Sequence, residues 1–304
     1  MKKEAAFARG LLLAGLALAL EGCSHVALLD PKGPVGEAER TMILIAFGLM
    51  LLVVVPVIVM AVWFPLKYRE SNTKAAYEPE WGESKKIETV MWLIPLAIVV
   101  ALSAILWRET HRLDPYKPLA GEGEPVEVEV VSLDWKWLFI YPRLGIATVN
   151  DFVFPAKAAL GFSITSDTVM TSFFIPRLGS QIYAMGGMRT RLHLLASEEG
   201  DYVGQNQQFS GAGYPDMVFR ARAVSRQDFE AWLAEVRQAP RTLDAAAFEE
   251  LRRPGVPDGP IRYSAVAPGL FDRILNQYDP LTKHAGHGAA PAAPHAPGHA
   301  GHAD

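Results

Sequence analysis

The chain has 304 residues, of which half are hydrophobic and a fifth charged, with a formal net charge of −4. Its mean hydropathy of +0.12 excludes an intrinsically disordered protein, and the absence of excess basic charge excludes nucleic-acid binding by phosphate neutralisation. A single cysteine, Cys23, excludes an intramolecular disulfide, a two-cysteine zinc site and a metal centre bridged by two thiolates. Most of the apolar excess lies in the first 107 residues.

Residues 1–22 predict an export signal. Basic residues up to Arg9 precede ten uncharged residues, Leu11–Leu20, a run too short to span a bilayer. Cys23 follows directly, as in a bacterial lipobox, in which the thiol is acylated and becomes the mature N-terminus. A lipid-bearing Cys23 would add membrane affinity through its acyl chains. The alternative is an incidental cysteine behind an ordinary signal, since Glu21 stands where a lipobox carries a small or apolar residue.

Two charge-free runs predict membrane-spanning helices. The first, Met42–Phe64, has 23 residues and would extend about 34 Å as a helix, more than the ~30 Å hydrocarbon core. The second, Thr89–Trp107, has 19 residues and carries a tryptophan near each end, where indoles prefer the membrane interface. Buried core helices are the alternative, and two such runs separated by a polar loop argue against it.

Lysine and arginine counts predict the orientation. The loop 65–88 holds five of these residues, whereas the segment 23–41 holds two. Under the positive-inside rule the loop is cytoplasmic, and both the segment 23–41 and everything after Trp107 are periplasmic. The chain is therefore predicted to be a multi-pass lipoprotein of the bacterial inner membrane with a large periplasmic region.

The exported region 108–224 is predicted to fold as a β-sandwich. Valines alternate with glutamates from Val126 to Val130, which is the period of a half-buried strand, and the aromatic run Trp135–Tyr141 follows. Glycine, proline, asparagine and serine separate further β-rich runs at Thr148–Phe154, Ala159–Thr165, Arg189–Leu195 and Val218–Val224. Short strands with such turns favour a Greek-key sandwich of roughly 100 residues.

Helical patterns return in the segment 225–282. Ser225 is a predicted N-cap with Asp228 three residues on, and apolar residues then recur at helical spacing. Two shorter amphipathic helices are predicted at Thr242–Arg252 and Pro268–Tyr278.

The tail 283–304 contains five of the eight histidines among small residues, and it lacks the apolar content to fold. Loose chelation of copper, nickel or zinc by its imidazoles is one interpretation, and a solvated tail is the other.

Three segments carry a resemblance to a known family: Leu28–Gly33, Asp134–Pro142 and Ser172–Met185. With the two predicted spans, they resemble subunit II of the haem-copper oxidases, closest to the cytochrome bo-type ubiquinol oxidase branch. The resemblance covers nearly the whole chain. It implies a membrane-anchored fold in which an antiparallel hairpin of two transmembrane helices is followed by an all-β cupredoxin-like Greek-key sandwich with added C-terminal helices.

Copper-bearing members of this family hold a dinuclear centre through a Cys-x-Glu-x-Cys-x-x-x-His-x-x-Met segment and an earlier histidine. The resemblance places those six ligand positions at Thr171, Asn206, Gln208, Ser210, Tyr214 and Met217. Only Met217 is retained, and a lone thioether is a weak ligand that holds no metal by itself. Because the exported domain has no cysteine, no pair of thiolates can bridge two copper ions there. The sequence therefore predicts a domain without a metal site.

Two further features carry expectations. The aromatic run Trp135–Tyr141 lies at the electron-entry patch of copper-bearing relatives, and without an acceptor beneath it core packing or a subunit interface is the better interpretation.

Glu88 lies seven residues before Pro95 and resembles the family's glutamate at the mouth of a proton-uptake path. The alternative is an ordinary interfacial charge paired with Lys85 or Lys86.

The resemblance implies the copper-free subunit II of a proton-translocating ubiquinol oxidase. In such a complex, ubiquinol delivers electrons within the membrane to the haems and copper of subunit I, and oxygen is reduced to water. This chain would bind no cofactor. It would act as a scaffold and assembly partner for subunit I and the other oxidase subunits, in contact with membrane lipid and with neither nucleic acid nor cytochrome c. The alternative is a membrane-tethered metal-binding or copper-chaperone lipoprotein that uses the histidine-rich tail.

Overall fold

The computed structural model describes residues 26–74 and 80–278. The predicted export signal 1–22, the predicted lipid site Cys23 and the histidine-rich tail 283–304 lie outside the described residues.

Two long helices precede the sandwich. The first helix, α1 (Pro34–Lys67), and the second, α2 (Lys85–Arg112), contain the two charge-free runs and extend beyond them by polar turns. Both are long and apolar enough to cross a membrane, and their most apolar windows are not buried within the chain. This exposed apolar surface agrees with membrane-spanning helices and disfavours buried core helices.

The strands of the described chain form a sandwich. In chain order they are β1 (Val126–Leu133), β2 (Lys136–Tyr141), β3 (Ile146–Val149), β4 (Asp151–Pro155), β5 (Leu160–Ser166), β6 (Thr171–Phe173), β7 (Ile182–Ala184), β8 (Thr190–Leu194), β9 (Gly200–Gln205), β10 (Val218–Val224) and β11 (Ile261–Tyr263). A six-stranded sheet has the order β11-β3-β2-β1-β5-β8, a three-stranded sheet has the order β4-β10-β9, and β6 pairs with β7. The central strand β1 runs antiparallel to β2 and parallel to β5.

The predicted β-rich run Thr148–Phe154 belongs to two strands, because Asn150 divides it. Before this residue β3 belongs to the six-stranded sheet, and after it β4 belongs to the three-stranded sheet. Asn150 has a left-handed backbone with φ of 57°, and its Oδ1 accepts a hydrogen bond from Trp137 N at 2.8 Å. Asparagine tolerates this region because its short polar side chain bonds locally. One residue therefore carries the chain from one sheet to the other.

Aromatic rings fill much of the space between the sheets. The ring centroid of Phe173 lies 5.4 Å from that of Trp137 and 5.1 Å from that of Phe219. Such pairs contribute about 0.5–1.5 kcal/mol each beyond the area they bury. Trp137, Phe139 and Tyr141 are at most 1% exposed, so these members of the predicted aromatic run pack in the core.

The C-terminal segment contains three helices, α3 (Arg226–Arg237), α4 (Ala245–Leu251) and α5 (Leu270–Asn276). Ser225 caps α3 as predicted, since its Oγ accepts a hydrogen bond from Asp228 N at 3.1 Å. The helix α4 is shorter than predicted because it begins only after the Asp244 cap, and α5 is likewise shorter than its predicted range.

These helices pack on both sides of the six-stranded sheet. Buried side chains of α3 join the core between the sheets. The helices α4 and α5 instead cover the outer face of the six-stranded sheet, in a second apolar cluster that includes Leu138, Ile140, Val149, Phe248, Leu251 and Phe271. The C-terminal segment is therefore a fixed part of the domain.

Lys136 joins this segment to the sheet. Its Nζ donates hydrogen bonds to Arg253 O at 2.8 Å and to Gly255 O at 2.9 Å, and burial lowers the pKa of the ammonium group. Carbonyls that follow the end of a helix favour a cation. Lys136 therefore has a structural role: it holds the residues that follow α4 against β2.

Residues 26–33, which we name the N-terminal strap, lie against the sandwich. Lys32 N donates a hydrogen bond to Arg177 O at 2.6 Å. Gly33 has no space for a side chain, because a Cβ there would lie 2.2 Å from Leu195 O. The strap therefore holds the sandwich against the start of α1.

We expect Asp167→Asn to loosen the C-terminal segment. The Asp167 carboxylate is 1% exposed and accepts hydrogen bonds from Arg252 at 3.1 and 3.2 Å and from Gln277 Nε2 at 2.8 Å. Breaking a buried ion pair costs about 3–5 kcal/mol, and because Arg252 is one-third exposed we expect about 2 kcal/mol.

The measurement is thermal unfolding of the detergent-solubilised chain. Glu249→Gln is the matched control, because Glu249 pairs with the same Arg252 at 3.1 Å but is 64% exposed. A control that lowers the melting temperature as much as Asp167→Asn would contradict the assignment.

Candidate functional site in the β9–β10 loop

Copper-bearing relatives carry six metal ligands, and five of the six corresponding positions lie here on the loop between β9 and β10. Gln205 at the end of β9 pairs with Val218 at the start of β10, so the loop leaves and re-enters the sheet at one point. The sixth position, Thr171, lies on β6, and Phe174 just beyond that strand pairs with Gln205. The structure therefore places all six positions near one end of the sandwich.

Asn206 is at the centre of the loop and only 5% exposed. Its Oδ1 accepts hydrogen bonds from Ser172 N at 2.9 Å and from Gln208 N at 2.9 Å. Its Nδ2 donates to Gln208 O at 2.7 Å and lies 3.2 Å from Ser210 Oγ. The same nitrogen lies 3.4 Å from Met217 Sδ. The amide therefore has partners on both sides of the loop and on β6.

Asn206, Ser210 and Met217 form a small polar cluster. Ser210 Oγ lies 3.8 Å from Met217 Sδ, and Met217 is 1% exposed. An amide, a hydroxyl and a thioether are neutral, whereas a dinuclear copper centre requires bridging thiolates. The residues present do not fit such a centre. Across residues 26–74 and 80–278, no three His, Cys, Asp or Glu side chains are grouped to hold a metal ion.

The other three positions have separate local partners. Thr171 Oγ1 donates to Ser132 Oγ on β1 at 2.7 Å. Gln208 contributes its backbone N–H and carbonyl to Asn206. Tyr214 begins a 3₁₀ turn, Tyr214–Asp216, and its ring centroid lies 5.8 Å from that of Phe209.

Trp135 packs over this loop, a contact that sequence reasoning missed. Its indole Nε1 donates to Ser210 O at 2.9 Å, and a Cβ on Gly213 would lie 2.3 Å from the indole ring. Trp135 has φ of 66°, a left-handed backbone that is unusual for a bulky residue and costs of order 1–3 kcal/mol. Gly211 and Gly213 within the loop are the sequence signal that could have indicated such a close approach.

Glu88 lies far from this loop in sequence, in the first turn of α2. Its side chain is exposed, and its N–H donates to Ser84 O at 2.9 Å. Within the described part of the chain, no salt bridge joins Glu88 to Lys85 or Lys86. The carboxylate is therefore available at the end of α2 that precedes the charge-free run.

We expect Asn206→Leu to destabilise the sandwich by about 2 kcal/mol, because it leaves the N–H groups of Ser172 and Gln208 without an acceptor. Thermal unfolding of the detergent-solubilised chain measures the loss. Gln207→Leu is the matched control, since Gln207 is the exposed neighbour in the same loop. An unchanged melting temperature for Asn206→Leu would contradict the central position of the amide.

Family models match both parts of the exported region. The model described as cytochrome C oxidase subunit II, periplasmic domain, matches residues 133–224. The model described as COX Aromatic Rich Motif matches residues 237–279. The first match covers most of the strands of the sandwich, and it confirms the expected cupredoxin-like domain.

Curated relatives match nearly the whole chain. Cytochrome bo(3) ubiquinol oxidase subunit 2 of Pseudomonas putida is 52% identical over 266 residues, which are 88% of this chain and 84% of the relative. Ubiquinol oxidase subunit 2 of Acetobacter aceti is 49% identical over 282 residues, which are 91% of each chain. Among solved structures, the periplasmic domain of cytochrome oxidase subunit II from Bradyrhizobium japonicum is 20% identical, with a TM-score of 0.36 over 38% of this chain and 94% of that domain. By its identity to the curated relatives, the chain belongs to the ubiquinol oxidase subunit 2 family.

Proposed function

We propose that this chain is the copper-free subunit II of a proton-translocating terminal oxidase, which oxidises ubiquinol and reduces oxygen to water. The curated relatives are named as ubiquinol oxidase subunits. The observation that carries the copper-free assignment is the β9–β10 loop, where Asn206 and Ser210 stand at the two thiolate positions. Their polar groups are hydrogen-bonded within the protein.

The electron route follows from this assignment. Without thiolates the sandwich provides no acceptor for an electron from cytochrome c. We propose that ubiquinol instead delivers electrons within the membrane to subunit I, which carries the haems and the copper. This chain then binds no cofactor, and it acts by holding the sandwich on two spanning helices beside subunit I and the other oxidase subunits.

The location is also part of the proposal. We place the chain in the bacterial inner membrane, with spans at 42–64 and 89–107, the loop 65–88 in the cytoplasm and the segments 108–224 and 225–282 in the periplasm. Cys23 is proposed as the lipid attachment point. The copper-chaperone alternative is not favoured, because relatives that match most of this chain are named as oxidase subunits.

Purification through this chain tests the proposal. In mild detergent we expect a haem-bearing large subunit to co-purify with ubiquinol oxidase activity and without the near-infrared absorption of a dinuclear copper centre. Metal analysis should assign the copper to the large subunit after the two chains are separated. Co-purification without quinol oxidase activity, or a near-infrared copper signal from this chain, would overturn it.

We further propose that Glu88 accepts protons from the cytoplasm at the entrance of an uptake path. We expect Glu88→Ala to lower turnover of the complete oxidase by about a hundredfold, the lower end of the range that a positioned proton-transfer group contributes. Stopped-flow proton uptake by the reconstituted enzyme is the measurement. Glu83→Ala is the control, since Glu83 is an exposed carboxylate just before the same helix. Unchanged turnover and uptake in Glu88→Ala would show that the role is wrong.

A further inference from the structure

A cavity of about 320 Å³ lies where the two helices meet the sandwich. The start of α1 contributes Glu39 and Met42, the end of α2 contributes Leu106, Glu109 and Arg112, and the loop before β7 and strand β8 close the other side. The first predicted span begins beside this cavity, at Met42, and the second ends beside it, one residue after Leu106. It therefore lies at the level where lipid headgroups meet water.

Four charged groups lie at or beside the polar end of the cavity. Glu39 accepts a hydrogen bond from the Ser180 hydroxyl. Glu109 is 12% exposed, and its carboxylate lies 3.3 Å from Arg112 Nη1 and 3.6 Å from Arg108 Nε. Two carboxylates and a pair of guanidinium groups thus stand close together at the ends of the two helices.

Three other polar groups of the lining have local partners. Asp114 Oδ1 accepts a hydrogen bond from Tyr116 N at 3.0 Å, and Lys117 Nζ donates to His111 O. His193 Nδ1 lies 2.9 Å from Pro115 O. Glu39 and Glu109 retain acceptor capacity beside Ser180 and the two arginines, because an ionised carboxylate has about four acceptor sites. The guanidinium groups of Arg108 and Arg112 are 78% and 61% exposed, so these four groups can also bind a ligand.

A second cavity of about 450 Å³ continues the first one between the helices. It shares Met42, Glu109 and Arg112 with the first cavity and extends along Ile45 and Ile105, deeper in the charge-free runs. A molecule that fills both cavities needs an apolar chain and a headgroup with one positively and one negatively charged group.

We propose that this site binds a phospholipid with a phosphoethanolamine headgroup. Its ammonium group donates hydrogen bonds to the carboxylates of Glu39 and Glu109, and its phosphate accepts them from Arg108 and Arg112. One acyl chain runs along Met42 and the neighbouring isoleucines. A choline headgroup offers no N–H donor to the carboxylates, and an anionic headgroup without an amine brings them no cation, so both bind more weakly.

A lipid in this place would join the two helices and the sandwich at the surface of the membrane. This inference rests on the proposed function for the periplasmic position of that surface and for the complex in which retention is measured. Oxidase activity and lipid retention are separate measurements, so failure of one is distinguishable from failure of the other.

The test is lipid retention by the complete complex, purified in mild detergent from membranes that contain phosphatidylethanolamine and phosphatidylglycerol. Native mass spectrometry and lipid extraction should show phosphatidylethanolamine retained by the wild-type complex. We expect about tenfold less retention in the double variant Glu39→Gln, Glu109→Gln and in Arg112→Gln, which corresponds to about 1.4 kcal/mol of lost binding.

Arg69→Gln and Glu70→Gln are the matched controls, because both residues are exposed at the opposite end of α1 and should leave retention unchanged. A second measurement needs no variant and so stands even if the variants assemble poorly. Wild-type complex in nanodiscs should melt at a higher temperature with phosphatidylethanolamine than with phosphatidylcholine or phosphatidylglycerol. No retained phospholipid, preferred retention of phosphatidylglycerol, or equal retention by the site variants would overturn the proposal.

Discussion

The side-chain amide of Asn206 makes hydrogen bonds to both sides of the β9–β10 loop and to β6. Each of these groups is buried or partly buried, so losing one partner would leave a polar atom without compensation. These hydrogen bonds hold the β9–β10 loop in one conformation, as metal coordination would hold a loop that carries metal ligands. The strands β6, β9 and β10 all meet at this loop, so its conformation fixes how they join.

Trp135 shows how far this constraint extends. Its indole covers Gly213 and bonds to Ser210 O, while its backbone stays in the left-handed region between β1 and β2. The side-chain contacts with the loop stabilise a backbone that the residue alone would avoid. Two residues later the chain enters the core, where Trp137 packs on Phe173 of β6. Loop, turn and core are therefore one packed unit.

Two attachments hold this unit in place. The N-terminal strap lies against residues before β7 and after β8, with no space for a side chain at Gly33. After β5, the buried Asp167 carboxylate binds Arg252 and Gln277 and fastens the C-terminal segment. A rigid sandwich at a fixed position above two apolar helices suits a subunit whose proposed role is to support a larger partner.

The amino-acid sequence by itself determined the two helices, the sandwich class, the α3 cap and the absence of thiolates from the domain. These follow from local properties: uncharged length, period-two alternation, a serine before a helical pattern, and the position of Cys23. The division of the run Thr148–Phe154 and the shorter α4 and α5 did not follow, because a single left-handed asparagine decides the first and single N-cap residues decide the others.

Only the tertiary structure decided which of the altered ligand positions meet. Asn206, Ser210 and Met217 converge, whereas Thr171 bonds to Ser132 on a strand 39 residues away in sequence. Likewise, only the packed fold brings Glu39 beside the end of α2 and Ser180. Such juxtapositions depend on sheet register and helix packing over long sequence separations, which local patterns do not encode.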